Sequence, residues 1–339
     1  MKKFILLFIS LFAISFSGKA QEGFEALLFA DPEDTNQLTE AYILPAMKGL
    51  IYGMNSGWYH TAKVHKSFGF DLSIGLNASI VPSKDEMFKF ADLNLTSVTS
   101  TTPEAATVAG SEDLTPLVNV ATTFQGQPVT ASFNMPGGVK ESLPLNAMPT
   151  PAIQLNLGLP AKFEVSLRLV PKVGNDDVKG ELLGLGLKKE ITGWFGPLDK
   201  LPLHVSLMGA FTNMKVSYAI SDEDSGDNIE ITDGLVELKL NSYTVQALAS
   251  LNFPIINVYG GFGYTSGTST LKMLGTYELD YNNGLVTRTL VDPLDLGFDA
   301  SGFRTTLGAR LSLGFFKIYG DYTLQEYNTL SLGVAFSIR

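Results

Sequence analysis

The feature that most constrains the fold is a strict alternation of apolar and polar residues that recurs along the chain. The stretch AIQLNLGLPAKFEVSLRLVP, residues 152–171, has an apolar residue at nearly every second position, breaks at Pro160 and then resumes. A period of two is the period of a β-strand. A three-residue connection at the break keeps both apolar faces on one side and pairs Gln154 with Arg168 and Gly158 with Glu164. The stretch therefore predicts an antiparallel hairpin with one apolar face.

The same alternation recurs in other parts of the chain, which indicates an all-β protein. Regular versions occupy residues 70–80, 182–188, 203–211, 306–313 and 330–339. Less regular versions occupy 56–65, 87–95, 127–134, 243–251, 255–265 and 316–322. Together these segments predict about 12 strands, within a range of 10 to 14.

The composition of the polar face separates two architectures that accept such strands. A soluble sandwich or lipocalin-like barrel points its apolar face inward, whereas an outer-membrane barrel points that face at lipid and keeps polar residues in the lumen. Here the polar face is rich in Gly, Ser, Asn and Gln and carries few charges. Such a face suits a crowded lumen, so we expect a closed antiparallel transmembrane β-barrel.

The N-terminus resembles an export signal. It reads MKKFILLFISLFAISFSGKAQ, with two lysines, an apolar run too short to span a bilayer, and small residues at Gly18 and Ala20. We therefore expect a cleaved signal peptide at residues 1–20 and a location in the cell outer membrane. The chain contains no cysteine, which excludes disulfides and thiol catalysis, and its net charge of −10 argues against a nucleic acid partner.

Long polar segments and tight turns alternate in the second half of the chain, as in outer-membrane barrels. Tight turns are predicted at Pro160, at 252–254 and around Gly314, and longer polar segments fall at 172–180, 221–234 and 267–300. Long outer loops are thus expected near 82–150, 221–234 and 267–300, with a type I′ turn at Asn283-Gly284. Segment 82–150 has weak alternation and gives no secure strand assignment.

Aromatic residues cluster near the inferred strand ends, where an interfacial belt of a membrane barrel lies. The expected belt comprises Trp58, Tyr59, Phe68, Tyr259, Phe262, Tyr264, Phe315, Phe316, Tyr319, Tyr322 and Tyr327.

Three segments, GMNSGWYHTAKVHKSFGFDL at 53–72, the preceding AYILPAMKGL and the C-terminal LSLGVAFSIR, resemble an uncharacterised family of outer-membrane barrels from Bacteroidota. The general layout is also faintly similar to the long-chain fatty-acid transporter outer-membrane family. That second resemblance implies a 14-strand barrel, an N-terminal segment that plugs the lumen, and hydrophobic cargo that leaves sideways into the membrane.

The domain organisation follows from these points. Residues 21–55 are expected to plug the lumen or to lie at its periplasmic side, and residues 56–339 to form the barrel. A barrel of 12 to 14 strands leaves a void that some segment must occupy, which favours the plug.

Charged and polar residues on the inferred lumen face are the candidate site residues: Asp71, Asn77, Gln154, Asn156, Glu164, Arg168, Lys188, His204, Arg310, Lys317 and Asp321. A lumen guanidinium needs an acceptor, so Arg168 is expected to pair with a carboxylate of the neighbouring wall or of the plug, for instance Glu25, Glu33 or Asp34. The alternative is that Arg168 extends to a strand end and contacts only water or headgroups. His60 and His65 are expected near the first tight turn, where they either interact with lipid headgroups or cap the turn.

No catalytic constellation is apparent. His204 and Ser206 lie two positions apart on one strand, about 7 Å, which is too far for a nucleophile and its base. The acidic run at 221–233 does not match a calcium loop, and the glycine-rich run at 260–267 does not match a phosphate loop. We expect no metal, no cofactor and no catalysis.

Two functions remain. The chain is either a monomeric barrel that passes or binds a small hydrophobic molecule, or a structural or surface-interaction barrel with a filled lumen. Both imply outer-membrane lipid and the barrel-assembly machinery as partners.

Overall fold

The computed structural model describes residues 24–175, 177–220, 228–282 and 285–338, with the backbone alone at 197–200. The expected signal peptide and the Asn283-Gly284 turn lie outside these ranges. The structure contains helix α1 (Pro32–Met54) and the strands β1 (Phe70–Ile80), β2 (Met87–Lys89), β3 (Val98–Ser100), β4 (Glu104–Ala106), β5 (Leu117–Phe124), β6 (Gln127–Asn134), β7 (Ala147–Leu159), β8 (Phe163–Gly174), β9 (Val178–Glu190), β10 (Leu203–Ile220), β11 (Ile229–Asn252), β12 (Ile256–Tyr281), β13 (Val286–Val291), β14 (Leu294–Leu313), β15 (Phe316–Leu324) and β16 (Thr329–Ile338).

Short 3-10 helices occupy several connections: Glu25–Phe29, Ser83–Asp85, Phe90–Asp92, Lys140–Ser142, Pro144–Asn146, Pro160–Lys162 and Thr192–Lys200.

Ten of the strands pair in a ring. The order is β1, β7, β8, β9, β10, β11, β12, β14, β15, β16, and β16 pairs with β1 again. Every pairing in the ring is antiparallel. Strand β13 pairs with the far part of β12, outside the ring. Ten is the lower limit of the expected strand range, and it differs from the 14 strands that the transporter resemblance implies.

The difference from the expected 12 strands has an identifiable cause. Segment 56–65 is not a strand, although its residues alternate. Segment 87–95 holds the three-residue strand β2 and a 3-10 helix, and segment 127–134 is strand β6 of a separate sheet. Alternation shows that a segment can have two different faces, but it does not show which sheet the segment joins.

The two ends of the ring differ. At one end, here called the turn end, short connections such as Pro160–Lys162 and the residues near Gly314 join the strands, and β1 begins and β16 ends there. At the opposite end, here called the loop end, the chain carries the long insertion 81–146, and β8 to β12 extend past their neighbours. The polar segments 172–180 and 267–300, expected as loops, are therefore largely strand.

The hairpin register predicted from residues 152–171 is confirmed. Gln154 pairs with Arg168 and Gly158 with Glu164, across a connection at Pro160–Lys162. Gln154 is buried, whereas Leu155 is 41 % exposed. The polar face thus points into the ring and the apolar face points out, the reverse of a soluble sandwich.

The long strands exchange the chemistry of their two faces part-way along their length. On β14, Phe303, Leu307 and Leu311 are exposed near the turn end, whereas Leu296 and Phe298 are buried near the loop end. The outward positions of the loop-end part are polar, as at Asp295 and Asp299. Strands β10, β11 and β12 show the same exchange. The part of the ring near the loop end, here called the outer part, therefore has an apolar core and a polar exterior.

Helix α1 passes from the loop end into the ring. Pro32 occupies its first turn together with Glu33 and Asp34, a favourable N-terminal sequence. Its first half packs against insertion 81–146, where Asp34 accepts hydrogen bonds from the backbone N–H groups of Thr96 and Ser97. Its second half contacts β1, β7, β11, β12 and β14. Among the described residues, no helix is both long and apolar enough to cross a bilayer.

The helix approaches β7 so closely that glycine is required. A Cβ atom at Gly53 would lie 2.4 Å from the hydroxyl of Thr150, and one at Gly49 would lie 2.7 Å from Met148. After Met54 the chain continues through the interior to the turn end, where β1 begins at Phe70. The internal segment is thus longer than the expected plug, residues 21–55.

The exchange of faces predicts unequal costs for the same substitution. Leu240 is fully buried in the outer part, so Leu240→Ala should lower the free energy of unfolding by about 2–5 kcal/mol by opening a cavity. Leu307 is 68 % exposed, so Leu307→Ala leaves no cavity and should cost less than half as much. Urea unfolding in detergent measures both. Equal losses would contradict the assignment of the apolar core.

Candidate functional site

The C-terminus of α1 is held by Arg168, a buried residue of β8. Its Nη1 donates to the carbonyl oxygen of Met54 at 3.1 Å, and its Nη2 donates to that of Ser56 at 2.9 Å. Its Nε donates to the side-chain oxygen of Gln154 at 2.8 Å. All three nitrogens of the guanidinium therefore have acceptors, two of which belong to the end of the helix.

A second buried arginine, Arg304 of β14, reaches the same helix end. Its Nη1 donates to the carbonyl oxygen of Asn55 at 2.6 Å, and its Nη2 donates to the hydroxyl of Ser56 at 3.0 Å. Strands β8 and β14 are five steps apart around the ring in either direction. The two arginines thus approach the helix end from opposite walls.

Electrostatics explains why two cations suit this position. The last carbonyl groups of a helix have no partner within it, and they carry the negative end of the helix dipole. The last turn of α1 contains no basic residue of its own. Arg168 and Arg304 supply both the missing hydrogen bonds and the positive charge.

The indole of Trp58 completes this arrangement, here called the arginine clamp (Arg168, Arg304, Trp58 and residues 54–56). The guanidinium of Arg168 lies 3.8 Å from the centre of the Trp58 ring, and the indole N–H donates to the carbonyl of Met54 at 3.2 Å. The ring lies against the inner face of β9, where a Cβ atom at Gly184 would stand 2.9 Å from it. The small residues of the polar face thus leave room for the aromatic rings of the interior.

Below the clamp, toward the turn end, six charged or titratable side chains form a second layer. His60 accepts a hydrogen bond from Arg310 at Nδ1, 2.8 Å away, so its other nitrogen carries the proton and faces Asp71 at 3.2 Å. His65 lies between two carboxylates, with Nδ1 at 2.8 Å from Glu164 and Nε2 at 3.2 Å from Asp71, which favours the doubly protonated ring. Lys188 pairs with Glu164 at 2.6 Å.

The wall also binds the backbone of the internal segment. Glu164 accepts from the N–H of His65 at 3.0 Å, and Glu190 accepts from the N–H of Val64 at 3.2 Å. Ser206 donates to the carbonyl of Ala62. A segment without secondary structure leaves its peptide groups unpaired, and the lumen side chains supply the partners.

A further pair of contacts holds the helix near the loop end. Lys48 and Tyr52 both donate to Glu326, at 2.9 and 2.8 Å, in the connection between β15 and β16. Burial disfavours the charged carboxylate, but the two hydrogen bonds outweigh burial and lower the pKa of Glu326 below its usual value.

The structure places every sequence-predicted site residue on the inner face or at its turn-end rim. Eight are buried: Asp71, Asn77, Gln154, Asn156, Glu164, Arg168, Lys188 and Asp321. Three are partly exposed near the turn end: His204, Arg310 and Lys317. His204 contacts Glu190 at 3.2 Å, and Lys317 donates to the carbonyl of Gly314 at 2.6 Å.

Two expectations about partners were wrong. Arg168 binds carbonyl oxygens and, among the described residues, no carboxylate, because the end of α1 lies at its height in the lumen while Glu25, Glu33 and Asp34 lie near the loop end. His60 and His65 lie inside the ring and not at lipid headgroups, because segment 56–65 is internal.

The aromatic belt is correct only in part. Phe68, Phe262, Tyr264, Phe315 and Tyr322 are exposed, and Phe316 is half-buried. Trp58, Tyr59, Tyr259, Tyr319 and Tyr327 are buried in the interior. Tyr259 and Tyr319 lie on strands with inward parity, a signal already present in the alternation.

Arg304 was missed although its position could have been found. It has the same parity as Thr306 and Arg310 on the polar face of β14, two residues before the regular pattern that starts at Thr306. Trp58 and Tyr59 had no such signal, because their segment has no strand to give it a parity.

The protein is of the all-β class, with a ring of antiparallel strands that encloses an N-terminal helix. Within that class, the chain belongs to the family described as "family of unknown function (DUF6588)", whose model matches residues 1–338.

Comparison with curated proteins gives no match. Solved structures that match this chain include Ail, the attachment invasion locus protein of Yersinia pestis, in complex with the heparin analogue sucrose octasulfate, at 10 % identity, 80 % of this chain, 100 % of Ail and a TM-score of 0.29. The translocator domain of the autotransporter NalP from Neisseria meningitidis matches at 11 % identity, 80 % of this chain, 89 % of that domain and a TM-score of 0.29. The outer membrane protease OmpT from Escherichia coli matches at 10 % identity, 81 % of this chain, 99 % of OmpT and a TM-score of 0.29.

The arginine clamp predicts a large effect of a neutral substitution. Arg168→Gln removes the donors to two buried carbonyl groups, so it should lower the free energy of unfolding by about 2–5 kcal/mol. Arg288→Gln on β13 is the matched control and should cost less than about 1 kcal/mol, since Arg288 is partly exposed and contacts the Tyr281 side chain and, at 5.7 Å, the ring of Phe124. Chemical unfolding in detergent measures both. Equal losses would show that the clamp does not hold the helix.

The packing of Trp58 predicts a second, independent effect. Gly184→Ala places a methyl group against the indole and should cost about 1–3 kcal/mol, whereas Gly209→Ala on β10 meets no atom within 4 Å and should be nearly neutral. Phenylalanine lacks the indole atoms that lie against Gly184, so Gly184→Ala should cost less in a Trp58→Phe background. A cost of Gly184→Ala that does not depend on residue 58 would rule out this contact as its cause.

Proposed function

We propose that this chain is a closed transmembrane β-barrel of the outer membrane, exported by a cleaved signal peptide, with a lumen sealed by its own N-terminal segment. The observation that supports a membrane location is the outward apolar band. Strands β1, β15 and β16 span 11, 9 and 10 residues and expose an apolar residue at most of their outward positions. A tilted strand needs about 9–11 residues to cross a bilayer.

The outer part of the ring supports the same proposal. Its exterior is polar and its interior apolar, the pattern of a protein part that stands in water. The exchange of faces on β14 occurs near residues 301–303. The segment of β14 from there to Leu313, whose outward positions are mostly apolar, is long enough for a tilted strand to cross the apolar part of a bilayer.

The interior favours a sealed barrel over an open channel. The arginine clamp fixes the end of α1 between opposite walls, and the second layer binds residues 60–65 closer to the turn end. Buried ion pairs and satisfied peptide groups are costly to break singly. We therefore propose that the barrel is a structural or surface-interaction protein, whose insertion 81–146 and extended strands meet partners outside the cell, and that it acts as a monomer without catalysis.

Passage of a small hydrophobic molecule is the second candidate. The inner face of the outer part is apolar, with Met214, Leu240 and Met273 around the first half of α1. A hydrophobic molecule could enter there only by displacing the helix, and it would then meet the charged clamp. For this second function, the segment from Pro32 to Phe70 has to move during each passage.

The orientation of the strands is testable because the chain has no cysteine. In liposomes, Leu157→Cys should react with a lipid-soluble maleimide and resist a water-soluble one, since Leu157 points outward. Asn156→Cys, which points inward, is the matched control and should not react with the lipid-soluble reagent. Reaction of Leu157→Cys with the aqueous reagent, or equal reaction of both variants with the lipid-soluble one, would contradict a membrane barrel.

A reversible lock separates the two candidate functions. The hydroxyl groups of Thr61 in the internal segment and Ser250 of β11 lie 3.2 Å apart, so Thr61→Cys with Ser250→Cys can form a disulfide after a small shift. The sealed barrel should show no conductance in planar bilayers whether this disulfide is oxidised or reduced. For a transporter, uptake of a hydrophobic probe into liposomes should stop on oxidation and return on reduction. Each single cysteine variant controls for the substitutions.

A further inference from the structure

The two ends of the molecule differ in their exposed charge. The described side chains at the turn end include the partly or fully exposed lysines Lys63, Lys66, Lys162, Lys189 and Lys317. The acidic side chains described there, Asp71, Glu164 and Glu190, are all buried, at 0, 3 and 6 % exposure. Toward the loop end, exposed lysines such as Lys84, Lys140 and Lys172 occur together with exposed acids, which include Glu112, Asp113, Glu141, Glu230, Glu278, Asp292, Asp295 and Asp299. The turn end therefore presents a cationic surface.

Two of these lysines are held at one place, the connection between β7 and β8. The ammonium group of Lys189 donates to the carbonyl of Ala161 and lies 4.2 Å from the ring centre of Phe163. Lys162 belongs to the connection itself, and its ammonium group lies 3.4 Å from Glu190. Glu190 is also in contact with His204 and the N–H of Val64, so one carboxylate is divided among several partners.

Exposed aromatic rings flank this pair of lysines. Trp194 and Phe195, in the connection from β9 to β10, are 71 and 47 % exposed, and Phe68, just before β1, is 73 % exposed. The ammonium group of Lys162 lies 4.0 Å from the position that a Cβ atom of Gly193 would occupy, and Gly193 directly precedes Trp194 in the sequence. Aromatic rings next to cations, at the edge of an apolar band, are typical of the headgroup level of a bilayer.

We propose that the turn end from β7 to β10 binds the phosphate of an anionic phospholipid in the adjacent leaflet. Lys162 and Lys189 contact the phosphate, Trp194 lies at the glycerol level, and the acyl chains run along Leu167, Leu185 and Leu187 on the outward face of β8 and β9. The charge of the surface selects an anionic over a zwitterionic headgroup. The site rests on the proposed membrane location of the barrel.

Tryptophan fluorescence tests this site without an added label, because the chain has two tryptophans and Trp58 is buried at 2 % exposure. The protein is reconstituted in phosphatidylcholine containing about 10 % of brominated phosphatidylglycerol or, separately, brominated phosphatidylcholine. Bromine quenches a tryptophan that it touches. Trp194→Phe gives the Trp58 background for subtraction. Quenching of Trp194 should be several-fold stronger with brominated phosphatidylglycerol.

The lysines are tested with a matched pair of double variants. Lys162→Gln with Lys189→Gln should lower the affinity for phosphatidylglycerol, relative to phosphatidylcholine, about tenfold, since each cation near a headgroup favours the anionic lipid. Lys215→Gln with Lys239→Gln removes the same charge from the outer part and should leave the preference unchanged. Unfolding midpoints of both variants show that each is folded.

Each other outcome has one meaning. Equal quenching by both brominated lipids, or a preference that disappears in about 0.5 M salt as diffuse attraction does, would overturn the phosphate site and leave the membrane barrel intact. Quenching of Trp194 by neither lipid would overturn both the site and the proposed location. The cysteine labelling of Leu157 reports on the location alone, so the two failures are distinguishable.

Discussion

The structure depends on the electrostatic contact between two arginines and the C-terminus of one helix. A helix end inside a ring of strands has unpaired carbonyl groups and no water to satisfy them, so its position in the lumen requires donors from the wall. Arg168 and Arg304 supply them from opposite strands, and the buried guanidinium groups in turn obtain the acceptors that they need. Without the helix the wall arginines lack acceptors, and without the arginines the carbonyl groups at the helix end lack donors. The internal segment is therefore a part of the fold.

The small and polar composition of the inner wall follows from the same constraint. Glycines at 184 and 186 leave space for the ring of Trp58, and Asn156, Ser166 and Gln154 form hydrogen bonds with each other or with the internal segment. Toward the loop end the wall becomes apolar, because there it covers the first half of α1 and the insertion, which pack as an ordinary protein core. One strand therefore serves two environments by exchanging the residue types on its faces.

The parts of the fold that local alternation determines could be predicted from the sequence. The hairpin at 152–171, its register and the inward direction of Arg168 depend on a period of two, and all three agree with the structure. The acceptors of Arg168 could not be predicted, because every residue type carries a backbone carbonyl and the sequence does not mark which of them lie at a helix end. Segment 56–65 was assigned to a strand because its alternation is real, while its irregular conformation results from contacts with distant residues such as Glu164 and Asp71. Insertion 81–146 gave no secure strand assignment because its strands are short, and its two small sheets lie outside the ring.

The path of the chain through its own ring restricts the order of assembly. Helix α1 comes in from the loop end, and the same segment leaves the interior at the turn end to become β1, whose neighbour in the ring is the last strand, β16. If the seam between β1 and β16 formed first, a helix about 10 Å wide would have to thread lengthwise through a finished cylinder. Closing the seam around a helix already in place avoids that step. We therefore expect the first and the last strand to pair only after the interior is occupied.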